Sequence, residues 1–93
     1  MSLTRPRHKA DLNQARIVSA LREIGASVEI LAAAGHGCPD LLVGYAGANY
    51  LLEVKSKKGK LTPDQERWHG FWRGQVGVVR TIGEALDVLK VKW

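Results

Sequence analysis

The chain has 93 residues, of which 45% are hydrophobic and 25% are charged. This composition is typical of one small globular domain and excludes disordered, collagenous and low-complexity classes. No apolar run approaches the ~18 residues that cross a bilayer, and the basic N-terminus lacks the apolar segment of a secretion signal. The single cysteine, Cys38, excludes an internal disulfide and a thiolate zinc site. We therefore expect no membrane contact and a reducing, cytoplasmic environment.

The charge balance points to a polyanionic partner. Fourteen Lys and Arg against nine Asp and Glu give a net charge of +5, which favours nucleic acid. Two basic clusters are predicted to bind DNA, the first in an N-terminal arm over residues 1–10 and the second inside a folded domain over residues 11–93. Their members are Arg5, Arg7 and Lys9, and Lys57, Lys58 and Lys60. Each cluster taken alone is equally consistent with a solvated segment.

The first half of the chain predicts a helix, a strand and a hairpin. Apolar residues at helical spacing indicate a helix over residues 11–24, and Asp11 with Gln14 has the spacing of an N-terminal capping pair. A short strand is expected over 28–31, followed by a glycine-rich loop. Strand-like runs at 41–45 and 50–55 then flank a four-residue turn, which predicts a hairpin.

The second half predicts helix, strand and helix. Thr62 with Gln65 and an intervening proline marks a helix start, and that helix should run to about residue 73. A strand over 76–80 and a helix after Thr81 complete the order α-β-β-β-α-β-α. Such an order predicts an α/β fold in which helices flank a mixed sheet, with a right-handed crossover from the third strand to the fourth.

The aromatic residues of the second helix allow two interpretations. Trp68, Phe71 and Trp72 are spaced so that they would face a sheet, and core packing is the expectation that we favour. The alternative is that they stack on unpaired bases.

The hairpin predicts a chemical site. It returns Glu53 to the neighbourhood of Asp40, and strand alternation points Glu53 and Lys55 to the same sheet face. Charged groups on a central strand cost free energy to desolvate unless they are paired. Two carboxylates, a backbone carbonyl and waters form the oxygen set that Mg²⁺ prefers, and such an ion assists phosphodiester hydrolysis. The alternative is that Asp40 only begins a strand while Glu53 and Lys55 form a solvated edge pair.

Three segments carry a family resemblance: Gly-Cys-Pro-Asp ending at Asp40, Glu-Val-Lys at 53–55, and Leu-Thr-Pro-Asp-Gln ending at Gln65 and followed by Trp68. In this order they resemble the PD-(D/E)XK nuclease superfamily and, within it, the stand-alone phage-type members of the virus-type replication-repair nuclease (VRR-NUC) family. The resemblance extends from the first helix to the last. It implies the restriction-endonuclease-like fold and a DNA endonuclease that depends on Mg²⁺ or Mn²⁺, without an organic cofactor. Stand-alone members are homodimers acting on branched DNA such as Holliday junctions, which implies the same partners here and a phage or prophage source in a bacterial host.

The resemblance also implies roles for individual residues. Asp40 and Glu53 would bind the metal through their carboxylates and Val54 through its carbonyl, while Lys55 would serve the nucleophilic water. Gln65 corresponds to a glutamine that hydrogen-bonds near the site, although its capping role explains it equally well.

Two further residues are weaker matches. Many family members place an acid, usually glutamate, on the first helix, and Asp11 is the best match here as a metal ligand. Its alternative role is that of a helix cap. His36, between two glycines, is predicted to contact DNA, with an exposed and idle histidine as the alternative.

Two other functions stay open at this point. One is a basic DNA-binding or assembly module that keeps the fold without cutting, and the other is a nicking or restriction-type nuclease on linear duplex.

Overall fold

The computed structural model describes residues 9–92. Seven helices and strands follow one another in the predicted order. They are α1 Lys9–Glu23, β1 Ser27–Ile30, β2 Leu41–Tyr45, β3 Ala48–Val54, α2 Pro63–Phe71, β4 Gly77–Val79 and α3 Ile82–Val88. Both Arg5 and Arg7, and most of the predicted basic arm, lie outside the described residues. No helix in residues 9–92 has the length and apolar character needed to cross a bilayer.

Helix α1 begins two residues earlier than predicted. Because Lys9 already belongs to the helix, Asp11 lies in the first turn, and the prediction that Asp11 forms an N-terminal cap was wrong. An acid in the first turn is still favourable, since it interacts with the positive end of the helix dipole.

The four strands form one mixed sheet in the order β1-β2-β3-β4. The first three pair antiparallel, and β4 pairs parallel to β3 after the chain has passed through α2. Pairing of Tyr45 with Ala48 shortens the predicted four-residue turn to two residues, Ala46 and Gly47. Their φ angles of 51° and 82° are both positive, as tight two-residue hairpin turns require.

Helices α1 and α3 share one core with the sheet. That core contains Leu41, Leu52 and Val54 from the strands together with Ile17 and Leu21 from α1, all of them buried. Since side chains alternate along β3, Glu53 points to the opposite face. The core therefore fixes the strand that carries the candidate catalytic residues.

The expected core packing of the aromatic residues of α2 was wrong. Phe71 is 77% exposed and Trp72 is 45% exposed, and α2 has no buried residue. The rings of Trp68 and Trp72 instead stack on each other, with centroids 4.6 Å apart. Helical spacing alone does not distinguish a helix that packs in a core from a short helix that presents its aromatic residues to solvent or to a partner. Base stacking stays a prediction.

Candidate active site

The hairpin register places Asp40 beside the end of β3. Leu41 pairs with Leu52, so the residue before β2 lies across from the residue after Leu52, which is Glu53. The backbone N–H of Val54 donates to Asp40 Oδ2 at 2.8 Å, and the carbonyl of Asp40 accepts from the N–H of Leu31 at 2.7 Å. Asp40 is thus held from β3 and from the end of β1.

Glu53 lies inside the molecule with only one carboxylate oxygen satisfied. Its exposed fraction is 1%. Glu53 Oε2 accepts from Gln65 Nε2 at 3.2 Å and lies 3.8 Å from Lys55 Nζ. Glu53 Oε1 is buried and has no hydrogen-bond partner among the described residues. The alternative of a solvated edge pair does not fit Glu53, because its side chain is buried. Its Oε1 is a hydrogen-bond acceptor that is shielded from solvent and has no donor among the described residues.

Burial raises the pKa of Glu53 to about 8. The negative charge of the adjacent Asp40 acts in the same direction, while the positive charge of Lys55 opposes it. The Glu53 carboxyl therefore holds a proton near neutral pH. Replacing that proton by a cation removes the same repulsion, which is the electrostatic condition for a metal site.

Helix α2 approaches Glu53 through its N-terminus. Thr62 and Gln65 form the predicted capping box, in which Gln65 N donates to Thr62 Oγ1 and Thr62 N donates to Gln65 Oε1. The other amide atom of Gln65 is then free to reach Glu53. Gln65 therefore has both of its expected roles at once, the cap and the contact with the site.

Gly37 brings the loop before Asp40 against α2. Its φ is +83°, and a Cβ at this position would lie 2.4 Å from the carbonyl oxygen of Asp64. Only glycine fits a backbone that approaches so closely with a positive φ. The loop and the N-terminus of α2 thereby pack together beside the Asp40–Glu53 pair.

Sequence reasoning missed His69. It lies one helical turn after Gln65, so both project from the same face of α2, and its Nε2 is buried without a hydrogen-bond partner among the described residues. Burial lowers the pKa of His69, and the positive charge of Lys55 lowers it further, so the imidazole is neutral at pH 7. The spacing of four residues from Gln65 is the sequence signal that could have found it.

Cys38 does not supply a nucleophile. Burial raises the pKa of its thiol, followed by the charges of Glu53 and Asp40. A thiol beside two acids stays protonated at neutral pH. The acids and Lys55 are therefore the reactive groups near this loop.

Asp11 lies apart from the acidic pair. It lines a groove between α1 and β1 with Gln14, Arg22 and Ile30. Nowhere in residues 9–92 do three or more His, Cys, Asp or Glu side chains form a group that could hold a metal ion. A ligand role for Asp11 stays a prediction without support from this arrangement.

The predicted DNA-binding residues occupy two surfaces. Lys57, Lys58 and Lys60 are exposed on the loop that follows Lys55. His36 is exposed with a φ of 55°, and it lines a groove of about 400 Å³ that the aromatic residues of α2 also line. Lys9 is the first residue of α1. Their contacts with DNA stay predictions.

Comparison with known structures gives the class of protein. A solved structure described as a VRR_NUC domain superposes on 94% of this chain and 100% of its own length, with a TM-score of 0.73 and 27% sequence identity. Neither the protein-family models nor the curated proteins gave a match. The fold that this chain shares with that structure is the fold of a nuclease domain.

Within the nucleases, the fold of this chain is similar to that of a VRR_NUC domain. Its mixed four-stranded sheet flanked by helices confirms the predicted fold class and element order. A nuclease fold also implies DNA as the substrate, which agrees with the net charge of +5.

Proposed function

We propose that this protein is a Mg²⁺- or Mn²⁺-dependent DNA endonuclease that hydrolyses phosphodiester bonds. The observation that carries the proposal is the carboxylate of Glu53, which is buried beside Asp40 with Oε1 unpartnered. A buried acceptor without a donor costs about 1–3 kcal/mol, and more when it is charged. A divalent cation between the two carboxylates removes that cost, so the residues present fit the group.

Three groups would hold the ion. The carboxylates of Asp40 and Glu53 are hard oxygen ligands of the kind that Mg²⁺ and Mn²⁺ prefer. In an antiparallel pair, the N–H and C=O of one residue point to the same neighbour, so the Val54 carbonyl points to the side on which Val54 N–H contacts Asp40. When bound, the ion supplies charge stabilisation at the phosphoryl oxygens and lowers the pKa of an attacking water.

The chain's own residues complete the site. Lys55 is half-buried with its ammonium 3.8 Å from Glu53 Oε2, so a positive charge lies beside the acids and would serve the attacking water. Gln65 fixes the Glu53 carboxylate through Oε2 and leaves Oε1 for the ion. The two acids are thus oriented before substrate arrives, which is how an active site avoids reorganisation during the reaction.

The substrate we propose is branched DNA, such as a Holliday junction or another replication and repair intermediate, in a phage or prophage setting. The support is the family resemblance together with the basic surface. Cutting both strands of a two-fold symmetric junction calls for two sites related by a two-fold axis, so a homodimer follows from the mechanism.

Cleavage of labelled four-way junction, flap and linear duplex DNA tests the proposal. Each substrate is incubated with Mg²⁺, Mn²⁺ or EDTA and with the wild-type chain, Lys55→Ala or Lys92→Ala. Lys92 is exposed and lies outside the site, so Lys92→Ala removes the same charge without touching the machinery. Circular dichroism confirms that each variant is folded.

We expect metal-dependent cutting by the wild type and Lys92→Ala, and a loss of at least ~100-fold in Lys55→Ala. The preferred substrate separates a junction enzyme from a nicking nuclease on linear duplex. If all three proteins bind DNA and none cuts it, the chain is a DNA-binding module and the active-site proposal is wrong. Light scattering of the free protein measures whether it is a dimer.

A further inference from the structure

A second groove lies on the other side of the Lys55 backbone. Its volume is about 270 Å³, and it opens between α1, the loop after Lys55 and the end of β4. The lining residues are Leu12, Asn13, Arg16, Ser56, Lys57 and Arg80. Three of these six carry a positive charge and none carries a negative charge.

The guanidinium of Arg80 is fixed by the loop that it lines. Arg80 Nη1 donates to the carbonyl of Ser56 at 2.8 Å and to the carbonyl of Gly59 at 2.7 Å. A guanidinium has five N–H groups, and within residues 9–92 the remaining three have no protein acceptor. Arg80 is thus oriented by two backbone contacts and keeps the donors with which arginine forms bidentate bonds to phosphate.

The positive charges of the groove have no carboxylate partners. Among the described residues the ion pairs are Lys55 with Glu53 and Arg67 with Asp64, so Arg16, Lys57 and Arg80 are all unpaired. Like charges gathered around one small groove repel each other unless an anion lies between them. The arrangement therefore favours a bound anion.

Asn13 connects this groove to the active site. It lines the groove, and its Nδ2 donates to the carbonyl of Lys55 at 2.8 Å and to the carbonyl of Arg80 at 2.9 Å. Lys57 follows Lys55 by two residues. The groove thus adjoins the backbone of Lys55, the residue to which the proposed function gives the attacking water, at the same end of β3.

We propose that Arg16, Lys57 and Arg80 bind a backbone phosphate of DNA that flanks the phosphodiester to be cut. The position relative to the cut rests on the proposed function, whereas binding itself does not. The groove serves to hold the strand in register over Asp40 and Glu53, because phosphate contacts position a duplex without reading its sequence.

The test measures DNA binding without cleavage. Fluorescence anisotropy of a labelled duplex and a labelled four-way junction is recorded in EDTA over a range of salt concentrations. The variants are Arg16→Gln, Lys57→Gln and Arg73→Gln. The side chains of Arg16 and Lys57 are exposed and have no hydrogen bond or ion pair among the described residues, so their loss leaves the fold intact. Arg73 is exposed after α2, away from the groove, and its variant removes the same charge.

We expect Arg16→Gln and Lys57→Gln each to weaken binding on the order of fivefold near physiological salt, and to reduce the slope of log K against log salt by about one. Arg73→Gln should leave the slope unchanged. The proposal is wrong if the three variants change the slope equally, because the contribution is then diffuse, or if neither groove variant changes it.

A parallel assay with Mg²⁺ separates this inference from the proposed function. Groove variants that raise KM and leave kcat within about twofold support a positioning contact for a cutting enzyme. If the groove variants alter the salt slope but the wild-type chain never cuts DNA, the phosphate site is supported and the nuclease proposal is wrong. If the wild type cuts DNA and the groove variants leave the salt slope unaltered, the nuclease proposal is supported and the phosphate site is wrong.

Discussion

The burial of Glu53 predicts that this protein loses stability as pH rises when no divalent ion is present. The perturbation that isolates the effect is Glu53→Gln, which keeps the size of the side chain and removes its charge. In the folded chain the pKa of Glu53 is about 8, compared with an ordinary value of 4.5. A raised carboxyl pKa means that the folded state holds a proton that the unfolded state has already released. Stability is therefore complete below pH 4.5 and declines as pH rises through about 8.

The magnitude follows from the pH interval. Each pH unit in that interval lowers the free energy of unfolding by up to ~1.4 kcal/mol. The loss reaches about 3 kcal/mol at pH 7 and about 5 kcal/mol above pH 8. Small domains have total stabilities of about 5–15 kcal/mol, so the wild-type chain in EDTA should be marginal at alkaline pH.

Urea unfolding of both proteins in EDTA, from pH 4.5 to pH 8.5, measures this effect. The useful quantity is the difference between the two free energies at each pH, since His69 and other titrating groups contribute nearly equally to both. A lost contact with Gln65 shifts the variant by a constant amount. The wild type should fall relative to Glu53→Gln by several kcal/mol across the range.

Adding Mg²⁺ provides the second half of the test. An ion that binds only the folded, ionised pair stabilises it by mass action, so Mg²⁺ should restore wild-type stability at pH 8 and have little effect at pH 5 or on Glu53→Gln. A difference between the proteins that does not change with pH would refute the argument from burial. Equal stabilisation of both by Mg²⁺ would place the ion elsewhere.

Two further substitutions test how the site is held. Gly37→Ala should lower the free energy of unfolding by several kcal/mol and impair cleavage, because the new Cβ meets the Asp64 carbonyl. Gly35→Ala is the matched control, since Gly35 also has a positive φ but open space around it. We expect the control to lose only ~1–2 kcal/mol. Urea unfolding of the two variants compares them, and equal losses would contradict the close contact. Asn13→Ala leaves the carbonyls of Lys55 and Arg80 without their side-chain donor, so it should lower the free energy of unfolding by about 1–3 kcal/mol; an unchanged urea midpoint would show that water replaces the amide.

The parts of the site that the sequence predicted are those that local patterns determine. Asp40 and Glu53 come together because a hairpin with a short turn aligns the residue before one strand with the end of the other. The element order was readable for the same reason, since caps, glycines and apolar periods mark each segment. The capping role of Gln65 was predicted because a capping box fixes its position within a turn of Thr62, whereas its contact near the site was implied by the family resemblance.

The parts that escaped prediction depend on how distant segments meet. Arg16, Lys57 and Arg80 come from three elements, and no spacing in the chain relates them. His69 became visible only after α2 was seen to approach Glu53. The aromatic residues of α2 were predicted to pack in the core, and none of them is buried there. Amphipathic spacing predicts that one helix face makes contacts, but it does not say whether the domain itself or a partner supplies them.

Stability and metal binding make opposite demands on Glu53. A cationic side chain or hydrogen-bond donor at Glu53 Oε1 would stabilise the buried carboxylate. It would also remove the unpaired buried charge that favours binding of an ion. The structure supplies partners to Oε2 alone, from Gln65 and Lys55, and buries Oε1 without one. Under the proposed function, the free energy that the ion-free chain loses by burying this acid would be recovered when an ion binds, so the same burial would strengthen the affinity for the ion. The expected marginal stability of the ion-free chain at alkaline pH and the proposed affinity of the site for an ion are then two consequences of one buried carboxylate.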